Sequence, residues 1–208
     1  FVGLGFDLAF KYRNPAIILA DGVIGQMMEK VVLPEQRTRL TDEEVIARCP
    51  WATTGRTHHR TPNIITSLEL DPAEMEKRNI HLQKKYAEIE ENEVRFEELH
   101  CEDAEYLIVA FGSCARIAQK AMEMAREEGI KVGLLRPITL WPFPSKAIAA
   151  RAAQVKGILT VELNAGQMVE DVRLAVECKV PVEHFGRLGG IVPDPDEVIT
   201  ALKEKLIK

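Results

Sequence analysis

From Tyr106 onward, apolar runs of strand length alternate with stretches of helical periodicity. The pattern predicts strands over Leu107 to Phe111, Lys131 to Leu135, Ile158 to Leu163 and Val180 to His184. Between and after them it predicts helices over Cys114 to Glu127, Ser145 to Gln154, Gln167 to Glu177 and Asp196 to Ile207. Gly129 and Gly157 sit where helices should stop, and Pro193-Asp194-Pro195 breaks the chain before the last helix. Strands that read as continuous apolar runs and alternate with helices imply a parallel sheet covered on both faces. The expected fold class is α/β, a three-layer parallel-sheet domain over residues 101–208.

The first half of the chain is patterned differently. Phe1, Phe6, Leu8, Ala9 and Tyr12 recur at near-helical spacing, and an apolar strand is predicted over Ala16 to Ala20, ahead of Asp21-Gly22 and Gly25-Gln26. Residues 34–70 are polar and irregular, apart from a short helix introduced by Thr41-Asp42-Glu43-Glu44. Asp71-Pro72-Ala73-Glu74 is a strong helix start: a side-chain cap, proline in the first turn and an acid facing the helix dipole. Neither glycine nor proline occurs from Ala73 through Phe111. Met75, Leu82, Tyr86, Ile89, Phe96 and Leu99 then read as the thin seam of one long charged helix between domains.

Composition excludes several functions. A formal net charge of −5, with no basic stripe, argues against a nucleic-acid surface, which needs clustered Lys and Arg. The longest apolar runs fall well short of the roughly 20 residues that cross a bilayer. No membrane contact is expected, and the expected location is cytoplasmic. The four cysteines, Cys49, Cys101, Cys114 and Cys178, are scattered singly, without the close grouping that iron–sulfur ligation requires. Adjacent His58 and His59 in an extended segment point to opposite sides, so no metal site is assigned.

Candidate chemistry gathers at the predicted strand ends, where open parallel sheets collect ligands and partners. Arg136 opens the run Arg136-Pro137-Ile138-Thr139-Leu140-Trp141-Pro142-Phe143-Pro144, whose three prolines should end the strand sharply and stiffen the loop. Arg136 reads equally as a structural ion pair or as a contact with another subunit. The next strand ends in Val161-Glu162-Leu163-Asn164-Ala165-Gly166-Gln167. Asn164 and Gln167, beside Gly166 and just before a helix, read either as caps or as a rim that binds an anion or a partner backbone. Gly112-Ser113 opens a helix but lacks the GxGxxG spacing of a dinucleotide loop, and Gly186-Arg187-Leu188-Gly189-Gly190 does not lead into a helix. Asp21, Gly22 and Gln26 form a strand-end loop that reads as a ligand-facing segment or a simple turn.

These motifs together give the chain a family likeness. Asp21-Gly22 with Gln26, Phe111-Gly112-Ser113, the LRPITLWPFP run and the VELNAGQ run resemble the α subunit of the 2-oxoacid:ferredoxin oxidoreductases, most nearly the branched-chain, 2-oxoisovalerate type. The likeness covers most of the chain. It implies an enzyme that uses thiamine diphosphate with Mg to decarboxylate a 2-oxoacid, passes electrons to iron–sulfur clusters on a partner subunit and to ferredoxin, and transfers the acyl group to coenzyme A. The implied partners are thiamine-diphosphate-binding β, γ and ferredoxin-like δ subunits.

The same resemblance divides the chain in three. Residues 1–33 would be the carboxyl-terminal end of a truncated pyrimidine-binding-type domain, residues 34–100 an extended connection with the long charged helix, and residues 101–208 a transketolase C-terminal-like domain. The acid that activates the cofactor is expected before Phe1, so no catalytic residue is assigned within the chain. Asp21, Gly22, Gln26, Arg136, Asn164, Gly166 and Gln167 stand as candidates for cofactor binding or subunit contact. Two alternatives stay open: a subunit of another thiamine enzyme, either transketolase-like or a 2-oxoacid dehydrogenase β subunit, or a noncatalytic docking module.

Overall fold

The computed structural model describes residues 1–53 and 63–207. The His58-His59 pair lies outside the described residues. By its internal contacts the chain falls into two units, one formed by residues 1–27 with 84–208 and the other by residues 28–83.

In the first unit a five-stranded sheet runs in the order β1-β3-β2-β4-β5. The strands are β1 Phe96–Leu99, β2 Tyr106–Ala110, β3 Val132–Pro137, β4 Gly157–Glu162 and β5 Val182–Gly186. Strands β3, β2, β4 and β5 are mutually parallel, whereas β1 pairs antiparallel with β3. Every residue of β4 is buried, which explains why apolar residues stand at consecutive positions along most of it: both of its faces are covered.

Two apolar layers sandwich this sheet. On one face α5 (Gly112–Glu127) and α8 (Pro195–Leu202), with a π-helical turn over Lys203–Ile207, pack on Ile108, Val132, Leu134, Leu159 and Val161. Small residues Ala115, Ala118, Ala121 and Ala125 line the inner face of α5 and let it lie close to the sheet. On the other face α6 (Ser145–Ala152) and α7 (Met168–Val176) pack on Leu107, Val109, Leu135 and Ile158. Fully burying each such aliphatic side chain stabilises the fold by about 1.5–3 kcal/mol. The expected three-layer α/β class is the one observed.

The amino-terminal part of this unit begins with α1 (Val2–Tyr12), ending at Arg13 in the left-handed conformation. Ala16 to Ala20 joins no ladder, correcting the predicted strand; Ile17 and Leu19 stay 81% and 71% exposed. A strand needs a neighbour for its N–H and C=O groups, and none is supplied among the described residues. The short helix α2 (Gly22–Gln26) follows.

The second unit holds α3 (Asp42–Arg48) and the first part of α4 (Pro72–Asn92). In α3 the expected capping box is complete: the Thr41 hydroxyl accepts from Glu44 N–H and the Glu44 carboxylate accepts from Thr41 N–H. Asp71 caps α4 by accepting from the N–H groups of Ala73 and Glu74.

Helix α4 is shorter than its pattern implied. It stops at Asn92, and Phe96 and Leu99, expected on its seam, belong to β1 instead. A buried acid sits at the stop. Glu93 is buried at the junction and accepts from Lys11 Nζ and Tyr12 Oη, each at 2.7 Å, while Arg95 closes on its other oxygen at 2.9 Å. Those three partners hold the Glu93 carboxyl down at about pKa 2, Lys11 contributing most and burial opposing. A second correction concerns β3, which continues through Pro137 because the antiparallel neighbour β1 asks only for ladder partners that the proline does not break.

Candidate functional site at the carboxyl rim of the sheet

The chain passes from β2 through α5 to β3 on one side, then returns through α6 to β4 on the other. Chain direction therefore reverses at the boundary between β2 and β4. In an open α/β sheet the crevice outside the strand ends at such a point is where ligands bind. Two helix N-termini open there, those of α5 after β2 and α7 after β4, and each presents N–H groups without intrahelical partners and a positive dipole end.

At α7 the dipole end is met by Glu162, the last residue of β4. Its buried carboxylate accepts from the N–H groups of Gln167 at 3.2 Å, Met168 at 2.8 Å and Val169 at 3.0 Å. His184 on β5 lies beside it, with Nδ1 3.4 Å from Glu162 Oε1 and 3.3 Å from Thr160 Oγ1, and Nε2 3.3 Å from the Asn164 carbonyl. The loop between β4 and α7 is thereby held at both ends. Its middle is fastened by Asn164, whose Oδ1 accepts from Gly166 N–H at 2.7 Å. Gly186 must be glycine: a Cβ there would sit 2.2 Å from the Asn164 carbonyl oxygen.

At α5 no local side chain caps the helix. Asp21, from a distant part of the sequence, lies against the turn into it, with Oδ2 3.8 Å from where a Cβ on Gly112 would sit, and its Oδ1 accepts from Ile24 N–H at 2.8 Å. Burial pushes the Asp21 carboxyl upward, but the Ile24 N–H and the donors of Ser113 and Val23 beside it outweigh that, and the group titrates below its ordinary value. Gly112 makes the tight entry into α5 with φ of +58°, a left-handed conformation that costs other residues energy. Cys114 sits behind this rim. Burial first, and then the charges of Asp21 and Glu162, push its thiol up to about 11. That thiol is protonated and poorly nucleophilic near neutrality.

The sequence-derived candidates are thus only partly gathered. Asp21 lies against the Gly112-Ser113 turn, and Asn164, Gly166 and Gln167 stand at the end of the neighbouring strand β4, with Gly22 at the start of α2 and Gln26 exposed at its end. Arg136 is elsewhere, in β3, where its guanidinium pairs with Glu97 across the strands at 2.8 Å. Gln167, and not Asn164, occupies the N-cap position of α7. Glu162 and His184 escaped the sequence reading. An acid closing a buried apolar strand, immediately before a helix, is the signal that points to Glu162. Nothing local marks His184, which reaches the site only through the pairing of β4 with β5.

Among the described residues no group of three or more His, Cys, Asp or Glu side chains is arranged to hold a metal ion. No helix among them is long and apolar enough to cross a membrane.

Residues 104–198, which include β2, α5, β4 and α7, match the family model of pyruvate:ferredoxin oxidoreductase core domain II. The chain is 45% identical over 199 residues to ketoisovalerate oxidoreductase subunit VorB of Methanothermobacter marburgensis, an alignment covering 96% of this chain and 54% of that protein. The chain is similar to subunits of the 2-oxoacid oxidoreductases. It is also 31% identical to 2-oxoglutarate synthase subunit KorA of Archaeoglobus fulgidus, over 91% of this chain and 53% of that relative. A solved 2-oxoglutarate:ferredoxin oxidoreductase from Magnetococcus marinus superposes with a TM-score of 0.61 at 25% identity, covering 71% of this chain and 28% of that one. That structure contains 2-oxoglutarate, coenzyme A and succinyl-CoA. The chain spans about half the length of the relatives it matches.

Proposed function

We propose that this chain is the α-subunit portion of a 2-oxoacid:ferredoxin oxidoreductase that converts 2-oxoisovalerate and coenzyme A to the acyl-CoA, with ferredoxin as electron acceptor. The observation that carries the substrate is the margin between relatives. Identity to the ketoisovalerate subunit is 45% across nearly the whole chain, against 31% to the 2-oxoglutarate subunit. The carbanion chemistry of decarboxylation belongs to thiamine diphosphate, and the electrons leave through iron–sulfur clusters on a partner subunit.

The rim described above does not fit a diphosphate. Both helix N-termini at the β2/β4 boundary already hold a carboxylate of this chain, and a second anion beside Asp21 or Glu162 would meet like charge. No step of the reaction is therefore assigned to these residues. In this reading thiamine diphosphate and its Mg are held by other parts of the assembly. Residues 101–208 act as a transketolase C-terminal-like scaffold, residues 1–33 belong to a pyrimidine-binding-type domain, and residues 34–100 connect them. Gly22, Gln26, Asn164 and Gln167 are the rim positions offered to partner subunits.

Co-expression of the full-length subunit with its β, γ and ferredoxin-like δ partners, followed by an assay of viologen reduction, tests the proposal. Reduction with 2-oxoisovalerate should require coenzyme A and exceed that with 2-oxoglutarate or pyruvate by at least about ten-fold in kcat/KM, the scale on which an apolar pocket discriminates. A preference for 2-oxoglutarate would overturn the substrate, and inactivity with every 2-oxoacid would overturn the enzyme class.

A further inference from the structure

We infer that Asp21 is a positioning residue that staples the Gly22–Gln26 turn to the carboxyl rim of the sheet, by capping that turn and the N-terminus of α5 with one carboxylate. The two segments it joins are 92 positions apart, from Asp21 to Ser113, and each lacks another side-chain cap: α2 takes its cap from Asp21 alone, and α5 has none of its own. Asp21 Oδ1 accepts from Ile24 N–H at 2.8 Å, and Ser113 at the start of α5 lies close enough for its donors to lower the titration of the same carboxyl. Its Oδ2 lies 3.8 Å from the point where a side chain on Gly112 would begin, so the acid rests directly on the turn into α5.

A carboxylate shared in this way couples two distant pieces of backbone. Loosening either end should release the other, because each end alone holds the side chain in the rotamer that the other end needs. The segment before Asp21 adds little hold of its own, since Ile17, Ile18 and Leu19 are exposed and unpaired by any ladder. The staple thus fixes how Gly22 and Gln26 are presented. Only the identity of what they face rests on the function proposed above; the coupling itself does not.

Amide hydrogen exchange on the chain, residue by residue, reads the coupling. Asp21→Ala should speed exchange at both Ile24 and Ser113 by about 2- to 30-fold, the equivalent of one lost cap. Asp21→Asn, which keeps an acceptor oxygen, should restore most of the protection at Ile24. Ser113→Ala should speed exchange at Ile24 although the two residues share no local contact in sequence. Amides of Ile108 and Leu159 in the sheet serve as the control and should not change. If Asp21→Ala loosens Ile24 while Ser113 is unmoved, or Ser113→Ala leaves Ile24 untouched, Asp21 is a local cap and the staple is refuted. Because exchange is measured without substrate or partners, this outcome is independent of the viologen assay.

Discussion

Glu162 shows how one buried acid is made stable by what surrounds it. An ionised carboxylate with almost no exposure is costly unless its oxygens are satisfied, and here three N–H groups at the start of α7 satisfy them. The helix dipole adds to the same end. Glu162→Gln replaces one accepting oxygen by an NH2 group that faces N–H donors. We expect it to destabilise the chain by about 2–3 kcal/mol, the cost of leaving buried donors without an acceptor, as measured by urea denaturation. Glu162→Ala should cost at least as much, and equal stability of wild type and Glu162→Gln would show that water or another group already serves those N–H groups. The close approach at Gly186 belongs to the same arrangement, since it lets the Asn164 carbonyl sit against β5 within reach of His184.

Among the elements, those whose residues are buried on all sides were legible in the sequence and those that depend on a remote neighbour were not. Strands β2 and β4 announce themselves because both faces are covered, so apolar residues run on consecutive positions with only Thr160 and Glu162 interrupting β4. Strand β1 hides its nature: it is a partly exposed edge strand whose Glu97 and Glu98 pair with Arg136 and Arg151, and charged residues of that kind also favour helices. The end of α4 was invisible for a similar reason, because Glu93 is a surface-like residue buried by Lys11 and Tyr12 from a segment some eighty positions earlier. Of the candidate site, the motifs were readable, whereas the meeting of Asp21 with Ser113 and of Glu162 with His184 required the topology. The tie between α1 and the α4 to β1 junction can be tested by pH. Since the folded-state pKa of Glu93, about 2, lies below its ordinary 4.5, its contribution is fully present above about pH 4.5 and fades as pH falls toward 2. Glu93→Gln should therefore be less stable than wild type by about 2 kcal/mol at neutral pH, and the gap should close progressively at acid pH. A gap independent of pH between 2 and 7 would mean that the charge of Glu93 contributes nothing.

At the scale of the molecule, the contrast is between a sheet domain with two apolar layers and a segment with no buried residue among those described between 28 and 83. Within that segment Met28, Val32, Leu33, Ile64 and Leu70 are each more than four-fifths exposed. Backbone that buries so little apolar surface opens locally at small free-energy cost, whereas strands of the core open only with global unfolding. Brief trypsin treatment of the chain should therefore cut first at Lys30, Arg37, Arg39 and Arg48, while Arg126 and Arg151, whose guanidiniums are tied to Asp103 and Glu98, resist. Mass spectrometry of the early fragments checks the order. If the proposed oxidoreductase assembly covers these apolar residues, adding the partner subunits should slow the cuts at Lys30 to Arg48 and leave the slow cuts in the sheet domain unchanged. Early cleavage within α5, at Arg116, Lys120 or Arg126, would contradict the packing of the sheet domain, and full resistance of residues 28–53 in the isolated chain would show that this segment has a stable core of its own.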